Sequence, residues 1–315
     1  MASWVLLSDL SNTASISLAL VRPGARPETT TQYPCDSLDS FKHAIEDFLS
    51  LNHHPKLMGA AVSACGWETA AGISMPNHAF RLHRNTLREL LNIQRLHIVN
   101  DCVSRAMAVP RLYDTEVVKI CGGEGDETLA RAMIGAGLGL GMAGILTDEF
   151  NRATVLPCEG GHTDLATTTP REQIVFDCLR QKYGHVSRER VASLQGLSEI
   201  YHCLTLEDEG TDLTLPAADI LTRAHRGEAR ALETVSLCTG WLAAMAADVT
   251  LMLGARGGIY LSGHLIAQLE GLIDWQAFSE RFTDKGRLTT FMQEIPVYIT
   301  RVPDIELIGL TTLFE

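Results

Sequence analysis

The stretch SDLSNTA, residues 8–14, separates the apolar run WVLL (4–7) from the apolar run SISLALV (15–21). Two strands joined by a short polar turn, with Asp9 at the end of the first strand, form a shape that can hold a phosphate group. Turns of this kind usually carry glycines, because backbone N–H groups must close on the anion. Ser11 and Asn12 stand at those positions here. The stretch therefore predicts a β-hairpin whose turn is a candidate phosphate site.

A second segment has the same pattern. The segment RAMIGAGLGLGMAGIL (131–146) reads as strand, small-residue turn and strand, and its turn GAGLGLG (135–141) carries four glycines at alternate positions. No helix pattern opens at the last glycine and no acidic residue follows at the spacing of a dinucleotide fingerprint, which argues against a Rossmann-type site. We interpret the two hairpins as a weak internal repeat, one per domain. A glycine-rich hairpin without a ligand is the alternative.

Short apolar runs alternate with helical patterns along the chain, as they do in α/β proteins. The segment FKHAIEDFL (41–49) places its four large apolar side chains on one face of a helix. Thr169 and Glu172 form a capping-box pattern that predicts a helix ending near Gly184. The predicted strands cover residues 5–8, 16–21, 57–63, 97–100, 117–120, 132–135, 142–146, 258–262 and 297–300.

Length, charge and cysteine usage limit the class of protein. The 315 residues suffice for about two domains with a substantial core. The net charge of −12 argues against nucleic acid or an anionic membrane as the main partner. The cysteines are spread out, with no CxxC pair and no compact Cys/His cluster, which argues against structural zinc and favours a reducing, cytoplasmic compartment. The start, MASWVLLSD, lacks the basic region of a signal peptide.

One apolar segment, LCTGWLAAMAADVTLMLGA (237–255), is long enough to be tested as a membrane span. Asp248 and several small residues interrupt it. A charged residue at the centre of a span is costly. The segment therefore predicts a helix buried in a domain core, and no membrane partner is expected.

A strand end followed by a helix is a place from which side chains project into clefts. The segment HIVNDCVSRAMAVP (97–110) puts Asn100 and Asp101 at such a position. An aspartate there can act as a general base. The alternative is that Asp101 only caps the helix that follows it.

A glycine pair lies between two polar side chains in the segment LPCEGGHTDLA (156–166). The glycines permit a tight turn that aims Glu159 and His162 into one space. Carboxylate oxygens accept hydrogen bonds and imidazole can donate or accept them, so the pair suits the hydroxyls of one polyol. Metal binding is disfavoured, because no further ligands follow at a suitable spacing.

Taken together and in this order, these segments resemble the bacterial glucokinase family, which are ATP-dependent hexokinases of the actin-like fold. The similarity runs from about residue 5 to residue 309. The spacing from Asn77 to Asp101, and from His162 to Glu189, matches the family without gaps. The most specific blocks are PNHAF (76–80), HIVND (97–101), GAGLGLG (135–141), EGGHTD (159–164), YGHVSRERV (183–191), FTDKGR (282–287) and IPVY (295–298).

The resemblance implies an α/β protein with the two-domain ribonuclease-H/actin-like ATPase fold and an interdomain cleft. The small domain would hold residues 1–112 and about 302–315, and the large domain residues 113–301. The implied partners are glucose or a related hexose and a second copy of the chain in a homodimer. The implied activity is a glycolytic one in the cytoplasm.

The resemblance also implies residue roles for ATP:hexose phosphotransfer. Asp101 would be the catalytic base that takes the proton from the sugar 6-hydroxyl. The hexose ligands would be Asn100, Asp101, Glu159, His162 and Glu189. The residues that bind ATP would be Asp9, Thr13, Gly135, Gly137, Gly139 and Gly263. Asp9 would also orient the Mg²⁺ that accompanies ATP.

The nucleotide side departs from the family pattern at several places. The family's Asp-x-Gly-Gly-Thr-Asn reads DLSNTA (9–14), its Gly-x-Gly-Thr-Gly reads GAGLG (135–139), and its Ser-Gly-Pro-Gly reads SLQG (193–196). Its Gly-Gly reads GH (263–264), and Glu306 replaces a glycine, which predicts negative charge near the nucleotide. These departures leave an alternative open, a sugar-binding pseudokinase that acts as a sensor or regulator with little or no phosphotransfer.

Overall fold

The protein is described by a computed structural model that covers residues 3–75, 78–150 and 152–315. Residues 76 and 77 of the PNHAF block therefore lie outside the described residues. The chain divides into two compact units. Unit 1 holds residues 1–113 and 302–315, and unit 2 holds residues 114–301.

Strands and helices alternate along the described chain. The strands are β1 Trp4–Leu10, β2 Ser15–Val21, β3 Thr31–Pro34, β4 Leu57–Ala64, β5 Trp67–Thr69, β6 Gly72–Ser74, β7 Leu82–His83, β8 Arg95–Asn100, β9 Val117–Cys121, β10 Arg131–Ala136, β11 Leu140–Thr147, β12 Ala153–Cys158, β13 Gly258–Ser262 and β14 Val297–Thr300. The helices are α1 Leu38–Leu51, α2 Arg84–Leu91, α3 Asp101–Ala108, α4 Pro170–Tyr183, α5 Leu194–Glu209, α6 Ala217–His225, α7 Ala229–Leu253, α8 His264–Leu269, α9 Trp275–Thr283, α10 Thr289–Gln293 and α11 Ile305–Leu310.

Unit 1 is built on a mixed sheet with the strand order β3-β2-β1-β4-β8. The hairpin β1–β2 and its neighbour β3 are antiparallel, whereas β4 and β8 run parallel to β1. Helix α1 covers this sheet with the side chains of Phe41, Ile45 and Phe48, which are buried in the same apolar cluster as the strands. A small antiparallel sheet, β5-β6-β7, lies between β4 and α2 in the sequence.

Unit 2 repeats the topology of unit 1. Its sheet has the order β12-β11-β10-β13-β14-β9, in which β10, β11 and β12 form an antiparallel meander and β13 and β14 run parallel to β10. Strand β9 is added antiparallel at the edge. The internal repeat predicted from the two hairpins is thereby confirmed. In both units the turn after the first strand lies at the carboxyl end of the parallel strands, where open α/β sheets bind ligands.

All the predicted strands and the two predicted capped or amphipathic helices are present. The capping box of Thr169 and Glu172 is formed at the start of α4, which ends at Tyr183. The strands that sequence patterns missed are β3, β5, β6, β7 and β12. These are short, or like β3 and β12 largely exposed, so that they lack the continuous apolar runs of the central strands.

The apolar segment 237–255 belongs to helix α7, which starts eight residues earlier than the segment and ends at Gly254 in the left-handed conformation. Within the described residues, α7 is the helix whose length and composition would allow a membrane crossing. Its most apolar window is 61% buried inside the protein. Trp241, Met245 and Val249 pack in the apolar cluster of unit 2, so α7 forms the core of that unit.

The cysteines are not all thiols. Cys178 of α4 and Cys203 of α5 are joined by a disulfide. The expectation of reduced cysteines, which followed from their wide spacing in the sequence, does not hold for this pair. Two helices packed side by side bring the two residues together although 25 positions separate them.

Candidate functional site

The first turn is closed by side chains where glycines were expected. Asp9, at the end of β1, is 9% exposed. Ser11 Oγ donates to Asp9 Oδ2 at 2.6 Å, and the Ser11 amide donates to Asp9 Oδ1 at 3.3 Å. Asn12 Oδ1 accepts from the Ala14 amide at 2.9 Å, as in an Asx turn. Burial, together with the charge of Glu306, raises the pKa of the Asp9 carboxyl well above its usual value. Thr13 is half-buried in the same turn.

Asn100, and not Asp101, caps helix α3. Asn100 Oδ1 accepts from the amides of Cys102 at 2.8 Å and Val103 at 3.2 Å, and Asn100 Nδ2 donates to the Gly66 carbonyl at 2.8 Å. Asparagine is among the preferred residues at this position. The alternative that Asp101 only caps the helix is therefore wrong: Asn100 occupies the N-cap position, and the Asp101 carboxylate contacts Arg105 as well as the Cys102 amide.

The Asp101 carboxylate belongs to an ion-pair chain. Arg105 Nη2 lies 3.2 Å from Asp101 Oδ2, and Arg105 Nε donates to Glu306 Oε1 at 2.6 Å. Ser11 Oγ lies 3.5 Å from the same Glu306 oxygen, so the chain continues to Asp9. Burial raises the pKa of Asp101, Arg105 opposes this rise, and Glu306 adds to it. The negative charge expected from Glu306 is therefore paired inside unit 1.

A close helix contact makes this chain possible. A Cβ atom on Gly309 of α11 would lie 1.7 Å from the Ser104 carbonyl oxygen of α3, so only glycine allows the two helices to approach this closely. Glu306 lies one turn before Gly309 on α11, and Arg105 follows Ser104 on α3. The contact therefore brings the carboxylate and the guanidinium together.

In unit 2 the glycine-rich turn joins β10 to β11. Gly135 lies inside β10, paired with Gly141. The Gly137 amide donates to the Gly139 carbonyl at 2.8 Å, and the Leu194 amide at the start of α5 donates to the Gly137 carbonyl at 2.9 Å. Leu138, at the tip, is 46% exposed. The segment SLQG (193–196), which departs from the family's Ser-Gly-Pro-Gly, thus holds the glycine-rich turn between β10 and β11 in place.

Glu189 packs directly on this turn. Glu189 Oε2 accepts from the Leu140 amide at 2.9 Å. A Cβ atom on Gly139 would lie 2.6 Å from the same carboxylate oxygen. Gly139 therefore leaves the space that the Glu189 carboxylate needs to reach the Leu140 amide. The same glycine forms part of the turn and makes room for a predicted hexose ligand.

A single turn of 3₁₀-helix, Gly160–His162, follows Glu159 and ends with His162. Both side chains are exposed. A Cβ atom on Gly161 would lie 1.9 Å from the Leu140 carbonyl oxygen, so this turn packs tightly against the start of β11. The Arg188 amide donates to the Thr163 carbonyl at 3.1 Å. The backbone of this turn at Gly161 and the Glu189 carboxylate thus both lie against Leu140.

Gly263 is required by the backbone of unit 2. Its φ is +107°, and a Cβ atom there would lie 2.4 Å from the Ala136 carbonyl oxygen at the end of β10. The conformation and the contact both select glycine. The next residue, His264, is exposed and its Nε2 lies 2.8 Å from Gln268 Nε2.

The structure gathers the predicted site residues into two groups. Unit 1 holds Asp9, Thr13, Asn100 and Asp101, and unit 2 holds the other predicted ligands. Sequence analysis missed Arg105 as a member of the first group. Its position four residues after Asp101 on a predicted helix was the available signal, since residues at that spacing lie on one face.

Comparisons with known proteins agree on one family. A family model described as Glucokinase matches residues 6–315. The chain is 36% identical over 303 residues to the glucokinase-like protein of Caulobacter vibrioides, with 96% of this chain and 94% of that relative covered. It is 32% identical over 307 residues to the glucokinase of Pseudomonas paraeruginosa, with 96% and 90% covered. The chain spans only 48% of the bifunctional protein glk of Burkholderia orbicola, to which it is 32% identical.

Solved structures give the same result for the fold. The crystal structure of a glucokinase from an Antarctic psychrotroph superposes with a TM-score of 0.84 at 27% identity, covering 99% of both chains. The glucokinase of Balamuthia mandrillaris, solved in complex with glucose, superposes with a TM-score of 0.82 at 20% identity, covering 99% of this chain and 94% of the other. The prediction of an α/β, ribonuclease-H/actin-like ATPase fold is thereby confirmed.

Proposed function

We propose, from the premise that the chain belongs to the glucokinase family, that it transfers the γ-phosphoryl group of ATP to the 6-hydroxyl of glucose. Membership of the family makes the chain a hexose kinase of the glucokinase type. Glucose as the sugar, ATP as the donor and the residue roles are the specific content of the proposal. The observation that carries it is the position of Asp101, whose carboxylate lies 3.2 Å from the Arg105 guanidinium while Asn100 occupies the N-cap of α3.

Asp101 would act as the general base. A primary hydroxyl is a weak nucleophile, so a carboxylate that accepts its proton during attack on the γ-phosphorus lowers the barrier. Burial raises the pKa of the Asp101 carboxyl and so makes the carboxylate a better proton acceptor, while the charge of Arg105 opposes that rise. Asn100, fixed by its cap contacts, has a second amide hydrogen with which it would orient the sugar.

Three polar side chains of unit 2 would bind the remaining sugar hydroxyls. Glu159, His162 and Glu189 supply acceptors and one group that can donate, and they share the framework around Leu140. Hydrogen bonds to a charged group contribute about 1.5–3 kcal/mol each. Such a set would position the hexose.

We expect Glu159→Gln to weaken glucose binding by about 1–3 kcal/mol, because a neutral amide replaces a charged acceptor of nearly the same shape. Isothermal titration calorimetry with glucose measures the change directly. Glu207→Gln, at an exposed position of α5, is the matched control and should bind glucose as the parent does. Undiminished affinity in Glu159→Gln would move the sugar site elsewhere.

The nucleotide side fits ATP with Mg²⁺ by its donor chemistry. Carboxylate oxygens are preferred ligands of Mg²⁺ and of its bound waters, and Asp9 would hold the hydrated ion. Thr13, Gly135, Gly137, Gly139 and Gly263 would contact the phosphates and the adenosine. Mg²⁺ would neutralise charge on the transferred phosphoryl group. The turn at Gly137 has room for an anion, because a Cβ atom there would meet only the His264 amide nitrogen, at 3.8 Å.

A second candidate function is a sugar-binding sensor or regulator with little phosphotransfer. Two observations favour it. The Ser11 hydroxyl occupies one oxygen of the Asp9 carboxylate at 2.6 Å, and the apolar side chain of Leu138 stands exposed at the tip of the second turn. Both features would lower the affinity for MgATP without changing the affinity for the sugar.

Restoring the family pattern separates the two functions. The triple variant Ser11→Gly, Asn12→Gly and Leu138→Thr should tighten MgATP binding and raise kcat/KM, since each restored contact is worth about 1 kcal/mol. Calorimetry with glucose and then MgATP, together with a coupled assay of glucose 6-phosphate, reports both quantities. If the unmodified protein turns over at about 1–100 s⁻¹ and the triple variant gains nothing, the residues at these three positions have no effect on function. A parent that binds glucose but neither binds MgATP nor turns over would favour the sensor.

We further propose a cytoplasmic homodimer as the working form, because the family resemblance implies that assembly. The net charge of −12 supports the absence of nucleic acid and of anionic membrane among the partners. Sedimentation of the purified protein tests the dimer.

A further inference from the structure

We infer that Arg105, anchored by Glu306, is a positioning residue for Asp101: its guanidinium orients the carboxylate and supplies the positive charge that opposes its burial. The inference rests on the proposed function of Asp101 and adds to it a pair of residues on which the base depends. Glu306 stands where the family pattern has glycine, so the anchor is a feature of this chain.

The geometry uses two different N–H groups of one planar fork. Nη2 of Arg105 faces Asp101 Oδ2 at 3.2 Å, and Nε faces Glu306 Oε1 at 2.6 Å. The side chains are 9%, 14% and 10% exposed for Arg105, Asp101 and Glu306. Water therefore screens these charges little. A lysine ammonium lacks this rigid fork and would not hold both carboxylates in the same way.

The charged and titratable groups around Asp101 come from four segments. Arg105 lies on its own helix, Glu306 on α11 and His78 in the loop after β6. Asp9, at the end of β1, interacts with Arg105 and Glu306. Among these groups only Arg105 has a permanent positive charge. Two carboxylates, Asp101 and Glu306, share it, so each competes with the other for the same guanidinium.

Because Asp101 and Glu306 share one guanidinium, Arg105 and Glu306 have opposite effects on the pKa of Asp101. Removing the positive charge should raise the pKa of Asp101, because burial then acts unopposed. Removing the negative charge of Glu306 should lower the pKa of Asp101, because the repulsion is gone and Arg105 has one carboxylate left. If Arg105 and Glu306 only held α3 and α11 together, replacing them would not shift the Asp101 midpoint in opposite directions.

The experiment titrates Asp101 directly in the full-length protein. Aspartate labelled with ¹³C at the carboxyl group is incorporated, and the Asp101 resonance is identified by its loss in Asp101→Asn. Arg105→Met should move the midpoint of this resonance to higher pH by about 1–3 units, the usual effect of an adjacent opposite charge. Glu306→Gln should move it to lower pH. The double variant Arg105→Met, Glu306→Gln removes one positive and one negative charge, so the net charge stays the same. The Asp101 midpoint in this variant should lie between those of the unmodified protein and Arg105→Met.

Arg105→Lys is the conservative control. It keeps the charge, so its midpoint should stay nearer to the parent than that of Arg105→Met. The double variant also covers the case in which Arg105→Met fails to fold, because it must still titrate above Glu306→Gln. Midpoints that do not move, or that move in the same direction in Arg105→Met and Glu306→Gln, would overturn the inference.

The same variants keep this inference separate from the proposed function. In an active enzyme, the acidic limb of the kcat–pH profile should follow the NMR midpoints, upward in Arg105→Met and downward in Glu306→Gln. If the parent does not phosphorylate glucose, the proposed function fails while the carboxyl titration still decides the role of Arg105.

Discussion

Asp101→Asn is expected to lower kcat for glucose phosphorylation by about 10²–10⁴-fold, the usual contribution of general-base assistance. The amide has the size of the carboxylate and keeps one acceptor oxygen, but it cannot take up the proton of the 6-hydroxyl. Glucose affinity should change little, because the other proposed sugar ligands, Asn100, Glu159, His162 and Glu189, are left unchanged. A coupled assay gives kcat, and calorimetry gives the affinity of the same preparation.

The control for this variant is Asp39→Asn, whose side chain is 97% exposed at the start of α1. It should keep the turnover of the parent. Turnover at the parent rate in Asp101→Asn would reduce Asp101 to a binding or structural residue. A fall in both kcat and glucose affinity by similar factors would instead indicate that the carboxylate is mainly a sugar ligand.

Arg105→Met is expected to lower the free energy of unfolding by about 3–5 kcal/mol, the usual effect of removing one partner of a buried ion pair. Methionine fills much of the same volume, so the loss comes from the two carboxylates left buried without their counter-charge. Chemical denaturation followed by circular dichroism measures it. Adding Glu306→Gln should recover part of the loss, because one of the unpaired charges is then removed.

An exposed ion pair provides the contrast. Lys42→Met in α1 removes a cation that lies 4.0 Å from Asp39 at the surface. It should change the free energy of unfolding by no more than about 1 kcal/mol. Equal losses in Arg105→Met and Lys42→Met would mean that the buried pair contributes no more than a surface contact, and the double variant would then show no recovery.

The local features of the chain were readable from its sequence because short-range rules fix them. Alternating apolar runs predicted the central strands, and the capping box of Thr169 and Glu172 predicted the start of α4. The two hairpin segments predicted the repeat that organises both sheets. Strands β3 and β12 were missed because they lie exposed at sheet edges, and β5, β6 and β7 were missed because they are only two or three residues long.

The candidate site was readable only in part. Motif order predicted Asp101, Glu159, His162 and Glu189 as functional positions, and their roles stay predictions that the proposed variants test. Glu306 was predicted to bring negative charge near the nucleotide, and in the structure this charge is paired with Arg105, whose Nε donates to Glu306 Oε1 at 2.6 Å. The alternative in which Asp101 only caps the following helix was wrong, because Asn100 occupies the N-cap position of α3.

The sequence by itself therefore determined the central strands, the repeat and the family. Each of these depends on residues a few positions apart or on the order of motifs along the chain. Only the tertiary structure decided that Arg105 lies between Asp101 and Glu306, which is 201 residues away from it. The reason is steric and electrostatic. Gly309 lets α11 approach α3 closely enough for the charges to meet, and burial then makes their pairing obligatory, which no local pattern encodes.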